Sequence, residues 1–471
     1  MPAIITGVGI GRRCGRKGEI SNSLLQRVDA DFYQFKGRPY LLNRGDVDMV
    51  VLPPELIPEL NTLSQNVINS RRSHSTTLLG HLNGINVVLE TSFHVKILLN
   101  KVTPSLPYFF KSAASRIQET LGYEFPQSTT MWTAVKPLDR AALCISRAIT
   151  LMIFGAPTCD NPELIRAFVD HAENVFSVAF VMRLVPWFLQ RSLVWLNPFT
   201  WHLRKTWEIL KGFVTPRVEH SLLEKQRGLP PGADLISSMI HSAKDSKEAD
   251  PERIAGIIAS TAAGAIHSSA ALVISVIAHL AAHPLFLEEI REEIRMKNEE
   301  LGGQWNINVF QDLLKLDSAM KETTRIAPST RIVYMRAILE NHTLSTGLEL
   351  KKGQYLCVSG ANRAMDPTLF PNPEEYDALR AFKDLDGHRT RPFNNSHAED
   401  FRWGSGRWAC PGRYIATLLT KIIIVKLVNE YDFGFPTGSP PQTTSLHEFN
   451  FMLPNTEFLM RRREKSLYIE F

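Results

Sequence analysis

The sequence predicts a mostly α-helical single domain with small β sheets towards both ends. Three observations carry this reading. Most windows from about residue 91 to 227 repeat apolar residues at helical spacing. A run of about 30 residues, 254–283, contains no acid, lysine or arginine. Strand-like pieces bounded by turn residues cluster before residue 56, after Pro328 and at the C-terminus. No internal repeat or linker interrupts residues 37–471, which read as one domain. Residues 1–36 read as an N-terminal segment without an evident membrane anchor.

Composition narrows the function classes. The 471 residues are 44% hydrophobic and 21% charged, enough for one large core. A net charge of +5 with no long basic run argues against nucleic acid as a partner. The five cysteines (Cys14, Cys144, Cys159, Cys357, Cys410) are odd in number and scattered, which argues against a disulfide framework and for a reducing compartment. No Cys-x-x-Cys and no Cys/His cluster has zinc spacing. "GVGIGRRCG" near the N-terminus has the wrong spacing for a dinucleotide loop, and no useful strand precedes it.

The elements follow in order. Residues 35–56 read as short strands with turns, then a helix start. The helical stretch is punctuated at Thr103-Pro104, Gly155-Ala-Pro157 and Asn197-Pro198. "HSAKDSKEADPER" (241–253) is a charged, solvated loop in which Pro251 opens the apolar helix. Hydropathy alone allows that helix to span a membrane. His267, Ser268 and Ser269 near its centre, and the missing aromatic belt, favour burial on all sides in a soluble core. Another helix runs from about 309 to 326 and stops before Pro328. Strand-like pieces follow in "TRIVYMRAILENHTLSTGLELKKGQYLCVSG". Residues 361–402, rich in Pro, Asn, Asp and Gly, read as mostly loop. A helix follows Cys410, and "FNFMLPNTEFLMRRR" is a β-rich tail.

The chemistry centres on "WGSGRWACPG" (403–412). Gly404 and Gly406 allow tight, left-handed backbone, so amide N–H groups can converge on the Cys410 sulfur. The following helix aims its positive end at Cys410, which lowers a thiol pKa. Pro411 is tolerated in a first helical turn. Read locally, such a cysteine can be a core residue, a nucleophile or a metal ligand. Upstream, Glu322 and Arg325 in "LDSAMKETTRIAP" are spaced i,i+3 and can pair, as many surface residues do. The proline-stiffened "DPTLFPNPEEYDALR" ends in Arg380, which can reach that pair.

Taken in this order, with Cys410 85 residues after Arg325 (410 − 325), these motifs resemble the cytochrome P450 family of haem-thiolate monooxygenases. The likeness is greatest to fungal members that oxidise secondary metabolites, and it covers nearly all of the chain after about Gly37. It implies the P450 fold, with a long central helix over haem b and the Cys loop on the proximal side. It implies that Cys410 is the axial thiolate of the haem iron, within a loop formed by Trp403, Gly404, Gly406 and Gly412. Glu322, Arg325 and Arg380 match the buried structural triad. "GAIHSS" (264–269) matches the oxygen-binding stretch of the central helix. There Gly264 and Ala265 make room for dioxygen, with Ser268 where threonine is usual and His267 where an acid is usual, as a catalytic proton relay. Arg336 matches an arginine that pairs with a haem propionate, one residue further along than the family pattern.

Some positions depart from that pattern. Trp403 replaces a frequent phenylalanine. Trp408 stands where Arg or His usually meets a propionate, and Arg407 is the substitute. The tryptophan–arginine pair of the early haem-contacting helix is not recognisable in "TSFHVKILLNKVTP", where His94 or Lys101 stands in. The resemblance places the substrate pocket at Ala262, Ala265, Ile266, Ser329, Val333, Phe451 and Met452. These are small or apolar and suit a hydrophobic polycycle such as a terpenoid. It implies O2 as co-substrate and a separate NADPH-cytochrome P450 reductase; Arg402, Arg407 and Arg413 around the Cys loop either meet its acidic face or only pair with propionates or solvent. The expected protein is monomeric, on the cytosolic face of the endoplasmic reticulum membrane. Two alternatives stay open: a haem-thiolate isomerase or dehydratase that does not use O2, and a Cys-nucleophile hydrolase.

Overall fold

The 254–283 run forms the body of helix Pro251–Ala282. Asp250 caps its start, accepting from the Arg253 N–H at 2.8 Å. The helix packs against Pro137–Phe154, Pro162–Met182, Pro198–Gln226 and Arg413–Glu430. Covered from so many sides, it has little need of a polar face. Among the described residues it is the one helix long and apolar enough to cross a membrane. Here Ile254, Ile258, Ile266, Val273 and Ile277 are all buried in the main core. The computed structural model describes residues 37–44, 46–383, 391–396 and 401–471. Cys14 and "GVGIGRRCG" lie outside the described residues.

The helical stretch resolves into Leu106–Glu124, Pro137–Phe154, Pro162–Met182 and Pro198–Gln226, with shorter turns between them. Asn161 and Asn197 cap two of these, accepting from the N–H groups of Leu164 and Phe199 at 3.1 Å each. One strand hides in this region. Thr133–Val135 pairs with Phe458–Arg462, which also pairs with Tyr431–Gly434. Three residues are too few for a period of two to show. The helix expected over 309–326 divides into a 3-10 turn, Ile307–Gln311, and the α-helix Leu314–Ile326.

The larger sheet has the order Tyr40–Asn43, Asp48–Val51, Tyr355–Ser359, Ile332–Ile338, Ile68–Asn69. It therefore joins strands from both halves of the chain, which strand positions alone do not reveal. Asp48–Val51 runs parallel to Tyr355–Ser359, and the other pairs are antiparallel. Strand Ile332–Ile338 carries a bulge: Val333 pairs with Val358 but Arg336 with Leu356, so one extra residue is held between them. Tyr334, inside the bulge, has φ +54°.

Candidate functional site

The loop before helix Arg413–Glu430 is closed by the Cys410 N–H, which donates to Trp403 O at 2.7 Å. Gly404 (φ +76°) and Gly406 (φ +62°) are both left-handed. A Cβ on Gly404 would sit 3.0 Å from Trp408 O, and one on Gly406 would sit 2.9 Å from the Asn61 side chain. Both positions need glycine. Gly412 caps the helix at φ −87°, and a Cβ there would meet open space. Trp403 fixes the loop from one side, donating from Nε1 to Phe393 O at 2.7 Å with its ring edge-on to Phe393. Asn61 fixes it from the other. Its amide donates to Ser405 Oγ at 3.0 Å and its Oδ1 accepts from Tyr334 Oη at 2.8 Å.

The Cys410 sulfur is partly buried. Burial pushes its thiol pKa up, against the N–H groups of Gly412 and Arg413 and the Arg413 guanidinium, which favour the thiolate. The lowering expected from the helix end is thus outweighed in the polypeptide alone. A bound cation is what makes such a thiol a thiolate.

Glu322, itself buried, joins two arginines. Its carboxylate accepts from Arg325 Nε at 2.8 Å and Nη2 at 2.7 Å, and from Arg380 Nε at 3.1 Å. The same arginines hold the proline-rich loop. Arg325 Nη1 donates to Pro373 O and Arg380 Nη1 to Pro371 O, both at 2.6 Å. Paired and hydrogen-bonded on all sides, these buried charges tie helix Leu314–Ile326 to the loop.

Gly264 and Ser268 lie four residues apart on one face of the central helix, and both are exposed in the midst of buried neighbours. Ser268 Oγ donates to Gly264 O at 2.8 Å. Ala265 is half-buried beside them. The structure does not bring Ala262 or Ile266 to this face. At about 100° per residue, Ile266 stands roughly 200° from Gly264 and Ser268, and both side chains are packed into the core. In a helix apolar all round, the sequence does not set which face opens. His267 is turned to the neighbouring helix, with Nε2 3.1 Å from Val169 O. A carbonyl only accepts, so that nitrogen carries the proton.

The remaining pocket candidates gather elsewhere. Asn450 N–H donates to Ser329 O at 2.9 Å, which docks the hairpin of Phe451 and Met452 on the segment leading to Val333. The Phe451 ring stacks on Phe180 at 6.1 Å. Ser329 is exposed, Val333 and Phe451 are half-buried, and Met452 is buried.

A cationic cluster surrounds Trp408. The Arg71 and Arg336 guanidinium groups lie 5.7 and 5.9 Å from its ring centroid. Arg336 is 2% exposed. Its Nη1 reaches Ser70 Oγ and Met335 O, while Nε and Nη2 have no partner. Burial pushes its pKa down to about 10. Arg71 Nε and His94 Nδ1 are likewise buried without partners. Burial and the Arg71 charge push His94 down to about 4. Unpaired buried donors of this kind call for an anion. A ring bearing two carboxylates, as haem does, fits them. The bulge accounts for the one-residue offset of Arg336. Arg407, expected to substitute at a propionate, is instead exposed and donates to Asn61 O at 3.2 Å. Lys101 is exposed as well. Arg71 was not legible in the sequence. It lies on the short helix Ser70–Thr77, and only its position directly after a strand in a polar stretch sets it apart.

Known proteins bring these parts together. The chain is 26% identical over 450 residues to a cytochrome P450 monooxygenase of Emericella nidulans, covering 94% of this chain and 84% of that one. It is 27% identical to the cytochrome P450 monooxygenase olcJ of Penicillium canescens (92% and 83% covered). It is 28% identical to the cytochrome P450 monooxygenase terK of Tolypocladium album (93% and 85%). The cytochrome P450 family model matches residues 21–461, which takes in the Cys loop, the Glu322 helix and the central helix in one alignment. The chain belongs to the cytochrome P450 family, and its cofactor is haem b.

Proposed function

We propose that the chain inserts one oxygen atom of O2 into a hydrophobic small molecule of secondary metabolism, a terpenoid-like polycycle, with Cys410 as the residue that would hold the haem iron. It is an oxygen-incorporating oxidoreductase, as its relatives are named. The observation that carries the Cys410 assignment is its sulfur, flanked by the N–H groups of Gly412 and Arg413 at the head of a helix. Haem, when bound, supplies the iron at which dioxygen is activated, and a thiolate ligand favours O–O cleavage. Arg336, Arg71 and His94 would take its carboxylates. Gly264 and Ala265 would leave room for dioxygen. The Ser268 hydroxyl holds a proton at Oγ for delivery towards the oxygen site. His267, bonded to Val169 O, positions the central helix against its neighbour.

The family draws electrons from a redox partner and acts on hydrophobic substrates with O2. For this chain we assign the electrons to a separate NADPH-cytochrome P450 reductase and the working form to a monomer. Arg407, exposed beside the Cys loop, suits an acidic partner face. Arg413 is turned inward to Cys410 O and Tyr414. Fungal members of the family are typically membrane-associated. We place this one on the cytosolic face of the endoplasmic reticulum membrane, lying on it through residues 184–207. That stretch exposes Trp187 (83%), Phe188 (63%), Leu196 (74%) and Trp201 (61%). It contains Arg191, Arg204 and Lys205 but no acid, the composition of an interfacial segment. Replacing Trp187 and Leu196 by alanine lowers flotation with anionic vesicles at least tenfold on this reading. Unchanged flotation removes the segment from the membrane.

The activity is tested with the purified protein, reductase, NADPH and isotopically labelled O2. One labelled oxygen per product molecule is expected. Turnover that needs neither NADPH nor O2 points instead to the isomerase or dehydratase reading.

A further inference from the structure

A cavity of about 990 Å³ opens between residues 81–90, helices Pro162–Met182 and Pro198–Gln226, and the first turns of the central helix. Leu82, Val87, Val194, Leu203 and Trp207 make much of its wall apolar. None of the pocket residues assigned from the sequence lines it. Ser260, which does, lies four residues before Gly264 on the same helix face, about 6 Å along the axis. A ligand that extends one helical turn beyond this cavity reaches the Gly264 and Ser268 face.

Within the apolar wall sits His171, 5% exposed. Its Nδ1 lies 3.1 Å from Thr206 Oγ1, and that hydroxyl donates to Leu203 O at 3.0 Å. A hydroxyl has one proton. When that proton goes to Leu203 O, Thr206 accepts from His171 and Nδ1 carries the ring proton. Burial pushes His171 down to about 4, which leaves the ring neutral at physiological pH. Nε2 is then a bare acceptor without a partner among the described residues. Thr200 Oγ1, also buried and in the cavity lining, has no partner either.

We propose that this cavity takes the body of a large, mainly apolar ligand bearing a hydroxyl or N–H group, and that His171 Nε2 accepts the hydrogen bond from that group. The inference rests on the monooxygenase reading and deepens it. A donor fixed at His171 sets which carbon of the ligand reaches the Gly264 and Ser268 face, so His171 acts as a specificity residue.

The test measures binding of four rigid tricyclic probes to the haem-loaded full chain by calorimetry: fluorene, 9-fluorenol, carbazole and N-methylcarbazole. The O–H and N–H probes are expected to bind about tenfold more tightly than fluorene and N-methylcarbazole, as one buried hydrogen bond allows. In His171→Phe the preference falls below twofold while fluorene still binds. Equal affinities in the native protein, no binding of any probe, or a preference that survives His171→Phe overturns the proposal. Should His171→Phe fail to fold, the matched probes on the native protein decide alone. Failure here leaves the NADPH- and O2-dependent labelling of product unchanged, whereas failure of the monooxygenase reading removes that labelling without altering probe preference.

Discussion

The Arg336 guanidinium lies 5.9 Å from the Trp408 ring centroid, with Nε and Nη2 buried and unpartnered. An indole thus stands where the resemblance expects a cation. On the proposed reading two arginines from elsewhere, Arg71 and Arg336, supply the charge. We expect Arg336→Leu to speed haem transfer to apomyoglobin at least tenfold, the scale of a charge-assisted hydrogen bond. The haem-free chain should lose little stability, since a buried unpaired cation is removed. An unchanged transfer rate would take Arg336 out of the propionate site. Arg71→Leu should act in the same direction but less strongly, because Arg71 also holds Thr91 O at 2.7 Å.

Glu322 answers two arginines with one carboxylate. Glu322→Ala leaves both without it. The expected loss is about 3–5 kcal/mol, read from the urea midpoint, with haem content falling in parallel. A loss below about 1 kcal/mol would make the triad an ordinary surface pair.

The three glycines of the Cys loop should behave differently. Gly406→Ala combines φ +62° with a 2.9 Å approach to Asn61, and Gly404→Ala is strained in the same way. Each should cost about 1–3 kcal/mol. Gly412→Ala, at negative φ beside open space, should cost the haem-free chain less than about 1 kcal/mol. Equal costs at all three positions would contradict the loop geometry.

Much of this was legible in the sequence because short motifs carry it. The Gly-rich turn, the lone cysteine and the Glu-x-x-Arg spacing are local, and so is the charge-free run of the central helix. What was not legible depends on distant partners or on phase. A helix apolar on all sides does not reveal which face opens, so Ala262 and Ile266 were assigned to a pocket while packing into the core. The bulge that places Arg336 exists only in the pairing with Tyr355–Ser359. His171 looks like any helix histidine until Thr206 is found beside its Nδ1. Lys421, in the mostly apolar "IATLLTKIIIVKL", was an available signal. A lysine there needs a buried partner, and it pairs with Asp317 at 2.7 Å.

Ser268 and His267 should separate in function. Ser268→Ala is expected to raise peroxide release per NADPH at the expense of product. Unchanged coupling in that variant contradicts a relay through its hydroxyl. His267→Phe, which removes only the bond to Val169 O, should leave coupling within about twofold and cost about 1 kcal/mol of stability.

Acid should destabilise the protein in a defined window. His94 and His171 have folded pKa values near 4, against an ordinary 6.5. The unfolded chain takes up these protons below pH 6.5, whereas the folded chain resists until about 4. Their stabilisation is therefore complete above pH 6.5 and is lost as pH falls towards 4, by about 3 kcal/mol per residue. Urea midpoints of the haem-free chain between pH 7.5 and 4.5 check this. His171→Phe should flatten part of the slope.

The central claim is that Cys410 ligates the iron. Among the described residues Cys144, Cys159 and Cys357 are fully buried in the core, whereas Cys410 is only partly buried and stands at the head of a helix. The ferrous carbonyl spectrum tests the claim most directly. The native protein should show the red-shifted Soret band of thiolate ligation, and Cys410→Ala should lose it. A native protein without that band, or a Cys410→Ala variant that keeps it, would contradict the claim.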